Sequence, residues 1–404
     1  MRKIADIDKL QNVINEQKQI VIYGAGIIGQ GVFCLLNKMG AKENIVGFAV
    51  SPHTDHLNEY MGKPIKCIDE YDNSSISVLI AVKQRYLEDV VKNIDKNNAY
   101  YIDIKTLKQL FKEAFKDLIS QKFIENWDKI DLSDEEFVTF CIRQIRRSCL
   151  DFEVNIVDHC NLNCQCCNHF SPIAPASYLE YEVFKKDLEQ IARLTEGNVG
   201  RIWLIGGEPL LHPNIVSFLY CARELFPQTH ITLDTNGTLL LKQNEGFWEA
   251  LRQTGIELTL TKYPISIDYE AIDKKMKSEN VEYAYTLSSK VLKTTYHLPL
   301  DLDASQDEIE SYMRCWHANE CVTLRNGRIY TCPIAAHAHH FNEYFNKELY
   351  VGDANSISIY DVKDIEEILE FLKEPIPFCK HCNIKGYTFD LPWDVSKKNI
   401  SEWI

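Results

Sequence analysis

Three cysteines, Cys160, Cys164 and Cys167, fall in the run His159-Cys160-Asn161-Leu162-Asn163-Cys164-Gln165-Cys166-Cys167. Thiolates at this spacing on one short loop can surround three corners of a [4Fe–4S] cube and leave the fourth iron open to a substrate or cofactor. Catalytic zinc also combines three ligands with an open position. Zinc knuckles and ribbons, however, favour paired CxxC units, and one tight CxxxCxxC after an apolar strand is not their pattern. Cys166 has the wrong spacing for a ligand and reads as a small packing residue. A second set follows near the C-terminus: Cys315, Cys332, and then Cys379-Lys380-His381-Cys382. Four thiolates split in this way hold either a tetrahedral zinc or a second four-iron cluster, and spacing alone leaves both open. His337, His339 and His340 follow Cys332 without a carboxylate or cysteine at ligand spacing, and read as pocket lining or a solvated loop.

The apolar run Phe152–Val157 leads into the first cysteine loop, and the next predicted strand, Arg201–Ile205, ends in Gly206-Gly207-Glu208-Pro209. The two motifs, in this order and each at the end of a strand, closely resemble the radical S-adenosylmethionine (SAM) superfamily. The resemblance implies that Cys160, Cys164 and Cys167 bind a [4Fe–4S] cluster whose open iron chelates the amino and carboxylate groups of SAM. A reduced cluster then cleaves SAM to a 5′-deoxyadenosyl radical, which takes hydrogen from substrate. It further implies that Gly206, Gly207, Glu208 and Pro209 hold the methionyl amine, glycine letting the backbone come close without a Cβ clash. Cys166 departs from the aromatic usual before the third ligand. The C-terminal cysteines resemble the twitch domain, the shortened relative of SPASM. That implies one auxiliary [4Fe–4S] cluster on Cys315, Cys332, Cys379 and Cys382, and so two clusters in all. Cys321 lies outside both sets; a thiol there is a candidate hydrogen-atom donor, as some epimerases of the family require, or a small buried hairpin residue.

Alternating strands and helices must position these groups. Candidate strands are Phe152–Val157, Arg201–Ile205, His230–Asp234, Ile256–Thr261, Val281–Thr286 and Leu292–His297, with helices over Tyr181–Leu194, Pro213–Phe226, Phe247–Gln253 and Ile267–Lys277. The alternation predicts a parallel sheet, matching the partial (β/α)6 barrel of the superfamily. Chemistry belongs at the C-terminal ends of such strands, which places Asn236 and Thr261 beside the SAM pocket as candidate ribose and carboxylate contacts. Asn326-Gly327 predicts a hairpin between Cys321–Arg325 and Arg328–Thr331.

The N-terminal third reads as its own module. The strand Gln19–Tyr23 feeds into Gly24-Ala25-Gly26-Ile27-Ile28-Gly29 and a helix over Gln30–Met39, followed by strands at Asn44–Val50, Ile76–Val82 and Tyr100–Ile104 and a helix over Arg85–Lys96. In a βαβ unit Gly24 permits the tight turn, Gly26 admits a diphosphate, and the helix N-terminus offers it free N–H groups. The acidic residue expected at the end of the second strand is replaced by Ser51, with Asp55 further into the loop, so a ribose carboxylate and NAD are disfavoured. The segment resembles short Rossmann-like domains of sugar acyltransferases and capsular-polysaccharide enzymes, some of which bind nucleotide-sugars. A docking module with a glycine turn used only for packing is the rival reading. The boundaries expected are 1–118 for this module, 119–150 for a helical linker, 151–308 for the radical SAM core and 309–404 for the auxiliary domain. Ser133-Asp134-Glu135-Glu136 predicts a capping box, and the stripe Phe137, Phe140, Cys141 and Ile145 is expected to dock that helix on the barrel.

The composition agrees. At 404 residues with 45% apolar content, the α/β chain has room for about three domains. A net charge of −14 argues against a nucleic-acid groove. No apolar stretch approaches the ~18 residues that span a bilayer, and the N-terminus lacks a signal-peptide profile. Fourteen cysteines then point to metal or catalysis in a reducing cytoplasm rather than to disulfides. The expected function is radical dehydrogenation or epimerisation of a carbohydrate, with a nucleotide-sugar as candidate substrate and a flavodoxin- or ferredoxin-type electron donor. Peptide modification and a non-catalytic redox or docking role are the alternatives.

Overall fold

The computed structural model describes every residue except 18, 53–58, 61, 73–74, 95, 146–148, 287–289 and 319. Asp55 therefore lies outside the described residues. The chain forms two compact units, residues 1–147 and 148–404.

In the first unit, β1 (Arg2–Lys3), β2 (Ile20–Tyr23), β3 (Ile45–Val50), β4 (Glu59–Tyr60), β5 (Lys63–Cys67), β6 (Ser77–Ile80) and β7 (Ala99–Tyr101) make one sheet in the order β1-β7-β6-β2-β3-β5-β4. All pairings are parallel except β4 with β5. Strands β2 and β6 are buried at every residue, which is why they read as unbroken apolar runs. The helices are α1 (Ile7–Glu16), α2 (Ile27–Lys38), α3 (Leu87–Val91), α4 (Ile104–Ala114), α5 (Gln121–Asn126) and α6 (Asp134–Ile145). The helix predicted over Arg85–Lys96 is reduced to α3 and one 3-10 turn before it. The capping box at α6 forms: Ser133 N–H donates to Glu136 at 2.7 Å and Glu136 N–H donates to Ser133 Oγ at 3.2 Å. The apolar stripe of α6 packs against α2 and α4 of this unit. Phe137 meets Phe111 and Trp127 edge-on at 6.1 and 4.6 Å between ring centroids. These aromatics sit outside the stripe in sequence, so its period could not announce them.

The second unit opens with β8 (Leu150–Val157), followed by α7 (Tyr181–Thr195), β9 (Val199–Gly206), α8 (Ile215–Leu225), β10 (His230–Thr235), α9 (Glu245–Thr254), β11 (Glu257–Leu260), α10 (Tyr269–Ser278) and β12 (Tyr283–Tyr285). Then come β13 (Thr294–His297), α11 (Glu308–Arg314), β14 (Thr323–Arg325), β15 (Arg328–Tyr330), α12 (Pro333–Phe345), β16 (Ser356–Ser358), α13 (Ile365–Leu372) and β17 (Thr388–Pro392). One sheet runs β12-β11-β10-β9-β8-β14-β15-β16, parallel from β12 to β14. The sequence reading made Leu292–His297 the sixth barrel strand. Instead β13 pairs antiparallel with β17, and β14 lies parallel to β8. A three-residue strand reached by a long excursion carries no βαβ signal, so the sequence marks β14 as a hairpin strand and not as the neighbour of β8. Asn326 and Gly327 form the predicted hairpin turn with φ of +49° and +71°, joining β14 to β15.

Candidate active site

The cysteine loop begins where β8 ends. The Gly206–Gly207 turn at the end of β9 packs directly on it: Gly207 N–H donates to Val157 O at 2.7 Å and Glu208 N–H to His159 O at 3.2 Å. A Cβ on Gly207 would stand 2.1 Å from His159 O, so only glycine lets the two backbones meet. The glycines are thus demanded by the neighbouring loop. Glu208 is fully buried, and its carboxylate accepts from Thr235 Oγ1 (2.7 Å), Asn236 N–H (2.9 Å) and Leu210 N–H (3.0 Å). Burial nevertheless pushes it up to about 7. Glu208 therefore ties the end of β10 to the end of β9 and does not line the cavity beside it; Pro209 starts the 3-10 turn that follows.

That cavity, of about 270 Å³, brings together Cys160, Cys164, Cys167, Gly206, Gly207, Asn236 and Thr261. The loop reverses through left-handed backbone at Asn163, Cys166 and Phe170, with φ near +55° at each. Asn adopts that region readily; for Cys and Phe it is uncommon and must be held by contacts around it. Those contacts come from the far C-terminus. Gln165 N–H donates to Asp394 O, Ser396 N–H to Asn163 O and Trp403 Nε1 to Cys167 O, at 2.7 to 3.0 Å. Asn236 donates to Asn161 at 2.9 Å and approaches Cys160 Sγ at 3.7 Å.

The sulfur chemistry follows from burial. Burial pushes the Cys160 thiol up to about 11 and Cys164 to about 12. Burial acts the same way on Cys167, but the hydrogen bond and charge of His169 outweigh it and hold that thiol below its ordinary value. His169 in turn sits 3.2 Å from Glu153 Oε1 and, although burial opposes its charge, bonds to Cys167 and Glu153 lift it to about 10. Half-buried thiols on one loop, with His169 beside Cys167, suit a metal cluster whose positive charge replaces their protons.

In the second sulfur set, Cys315 caps the end of α11, Cys332 is the N-cap of α12, Cys379 lies within the 3-10 turn Pro377–His381, and Cys382 caps that turn's end. Ser311 Oγ donates to Cys382 O at 3.1 Å, fastening α11 to that turn. Burial raises Cys332 to about 12 and drives Cys379 and Cys382 well above their ordinary value, and the nearness of Cys315 adds to each. All four sulfurs therefore share one neighbourhood, and this donor set fits a four-thiolate metal centre. Cys321 is driven up by burial too and does not line the cavity.

The sequence reading missed Tyr263, Tyr296 and Trp393, which line the same cavity, and Asn168, whose amide donates to Tyr296 Oη at 3.0 Å. A tryptophan beside prolines in a polar tail was the one available signal for Trp393. The three histidines on α12 are also not a solvated loop: His337 and His340 are buried, near Asp158, a carboxylate far away in sequence.

In the first unit a cavity of about 830 Å³ opens at the carboxyl ends of β2, β3 and β6, where the strand order reverses. Gly24, with φ of +117°, and Gly26 line it; Gly29 does not, because its Cβ position is 1.7 Å from Gly24 O, a close helix-to-turn packing. A Cβ on Gly26 meets nothing within 4 Å. Ser51, at the end of β3, is 3.0 Å from Tyr23 Oη; Lys83, Arg85, Asp89 and Glu135 also line the cavity, with Lys83 paired to Glu135 at 2.7 Å.

Residues 154–293 match the family model described as the Radical SAM superfamily. Among curated proteins, a GTP 3′,8-cyclase of Trichodesmium erythraeum is 25% identical over 259 residues, covering 57% of this chain and 76% of its own length. One from Staphylococcus carnosus is 26% identical over 159 residues, 37% of this chain and 46% of its own length. The chain thus spans less than half of that relative. Among solved structures, BtrN in complex with AdoMet and 2-DOIA aligns at 17% identity over 59% of this chain and 94% of its own, with a TM-score of 0.38. Native anSMEcpe with bound AdoMet aligns at 13% over 57% and 82%, with a TM-score of 0.37.

Proposed function

Since this chain carries a radical SAM domain over residues 154–293, the second unit is the core of a radical SAM enzyme, and we propose that it dehydrogenates or epimerises a carbohydrate, with a nucleotide-sugar as substrate. The observation that carries the reading is the grouping of three half-buried thiols, the Gly206–Gly207 turn, Asn236 and Thr261 around one cavity at the C-terminal ends of the barrel strands. When bound there, a [4Fe–4S] cluster and SAM supply a 5′-deoxyadenosyl radical that takes hydrogen from carbon.

The chain's own residues do the rest. Cys160, Cys164 and Cys167 bind the cluster, and the Gly206 and Gly207 backbone meets the methionyl end of SAM. Asn236 and Thr261 orient it, and Tyr263, Tyr296 and Trp393 keep water from the reacting carbon. Glu208 holds the turn in place. Cys315, Cys332, Cys379 and Cys382 bind an auxiliary cluster. The first unit holds the nucleotide: its phosphates lie on the Gly24–Gly26 turn at the N-terminus of α2, with Lys83 and Arg85 nearby. Relatives named for GTP, a nucleotide, are in keeping with this substrate class. A flavodoxin- or ferredoxin-type protein supplies the electron. The enzyme works in the reducing cytoplasm; among the described residues no helix is long and apolar enough to cross a membrane.

Mass spectrometry of the anaerobically reduced protein with SAM and a panel of nucleotide-sugars tests the reading. The expected result is 5′-deoxyadenosine together with a sugar two hydrogens lighter, or one of unchanged formula that has taken up solvent deuterium. SAM cleavage with no change in any sugar would overturn the substrate class, and no SAM cleavage at all would point to a redox or docking protein.

A further inference from the structure

A separate cavity of about 370 Å³ lies beside the ends of β8 and β14, between α7 and α12. Asp158 and His340 line it, and ligand atoms of these two and of His337 lie within 4.8 Å of one another. His340 Nε2 is 3.4 Å from Asp158 Oδ2, and His337 Nδ1 is 3.9 Å from Oδ1. Nδ1 of His340 and Nε2 of His337 are buried without a hydrogen-bond partner, as is the whole amide of Asn155, which also lines this space. Buried polar atoms left unpaired are costly and ask for an occupant.

The chemistry of the occupant follows from charge and donor type. Arg325 Nη1 stands 3.2 Å from His337 Nδ1 and can only donate, so that nitrogen carries a lone pair rather than a proton. Arg325 grips Asp158 with two bonds of 2.7 and 2.9 Å, and Ser177 Oγ adds one of 2.9 Å to Oδ2. A carboxylate has about four acceptor positions, so one stays open after these three. Among the described residues the ionisable lining is, apart from the histidines, mostly acidic: Asp158, Glu180, Asp187 and Glu343 face Arg325. That surplus excludes a phosphate or carboxylate ligand and favours a cation. Two imidazoles three residues apart on one helix, plus one carboxylate, make a nitrogen-rich set suited to a divalent first-row metal.

We propose that Asp158, His337 and His340 bind a divalent transition metal ion of the zinc type, a centre separate from both sets of cysteines. It joins the end of β8, two residues before Cys160, to α12, whose first turn begins at Cys332. Ser177 orients the carboxylate ligand, as outer partners do at metal sites, and Arg325 bridges that carboxylate to His337.

The test uses the full chain with iron and sulfide reconstituted anaerobically, then equilibrated with zinc alone. One zinc per chain is expected above the iron, with X-ray absorption showing nitrogen and oxygen neighbours at about 2.0–2.1 Å and no sulfur shell near about 2.3 Å. His340→Gln, which keeps the side-chain volume, should weaken zinc binding at least about tenfold while iron content holds. The double variant His337→Ala with His340→Ala should abolish it. Zinc well below one per chain, a sulfur shell, or undiminished binding in His340→Gln would each overturn the site. If the double variant loses its iron as well, the His340→Gln result decides.

Discussion

Glu208 shows how a single side chain can serve a site it does not face. Its carboxylate collects three donors from two strand ends, and Asn236, which touches the cysteine loop, hangs from one of them. In Glu208→Gln an amide N–H₂ replaces one acceptor oxygen. If that nitrogen takes the place of Oε2, it faces the Asn236 N–H donor-to-donor; if the amide turns over, it faces Thr235 and Leu210. A buried donor is left unpaired in either case, at about 1–3 kcal/mol. The expected outcome is a lower urea midpoint for unfolding of the second unit and weaker SAM binding. An unchanged midpoint would mean that the strand ends are held by other bonds.

At the scale of elements, the glycine turn before α2 separates packing from binding. Gly29 presses α2 against the Gly24 carbonyl, and an added methyl there has no room. Gly29→Ala should destabilise the first unit by about 1–3 kcal/mol, the usual cost of forcing atoms into a filled space. Gly26 has open space where its Cβ would be, and its φ of −75° suits any residue. Gly26→Val should therefore leave the thermal midpoint nearly unchanged while weakening nucleotide-sugar binding at least about tenfold, since the side chain fills the approach to the helix N-terminus. Calorimetry on the full chain reads both effects. Equal binding in wild type and Gly26→Val would reduce this unit to a docking or structural role. SAM cleavage without substrate should persist in that variant.

For the whole molecule the question is how many clusters the second unit holds. Two four-iron centres, one on three thiols and one on four, predict about eight irons per chain, and removal of Cys160, Cys164 and Cys167 together should leave about four and abolish SAM cleavage. Iron analysis alongside a SAM-cleavage assay checks both. One cluster accompanied by stoichiometric zinc on sulfur would show that Cys315, Cys332, Cys379 and Cys382 form a zinc site. The two sets are not independent parts of the fold. The tail after β17 bonds to the first cysteine loop at Asn163, Gln165 and Cys167, and β14 and β15 extend the barrel sheet. Truncation after Asp390 should therefore cost the first cluster as well, although all three of its cysteines remain.

What the sequence determined alone is what local spacing encodes. The thiol loop, the glycine turns, the Ser133 capping box, the Asn326-Gly327 hairpin and the alternation of strands and helices each depend on residues a few positions apart, and each is legible there. Only the tertiary structure decided which distant groups meet. Nothing local tells β13 to pair with β17 rather than join the barrel, or β14 to lie beside β8, because a strand's partner is chosen by the whole sheet's burial. The same holds for Trp393 and Trp403 reaching the cysteine loop, and for Asp158 meeting His337 and His340. These contacts bring together side chains hundreds of residues apart, or nearly so, and their energy comes from excluding water at a place that exists only once the chain has folded.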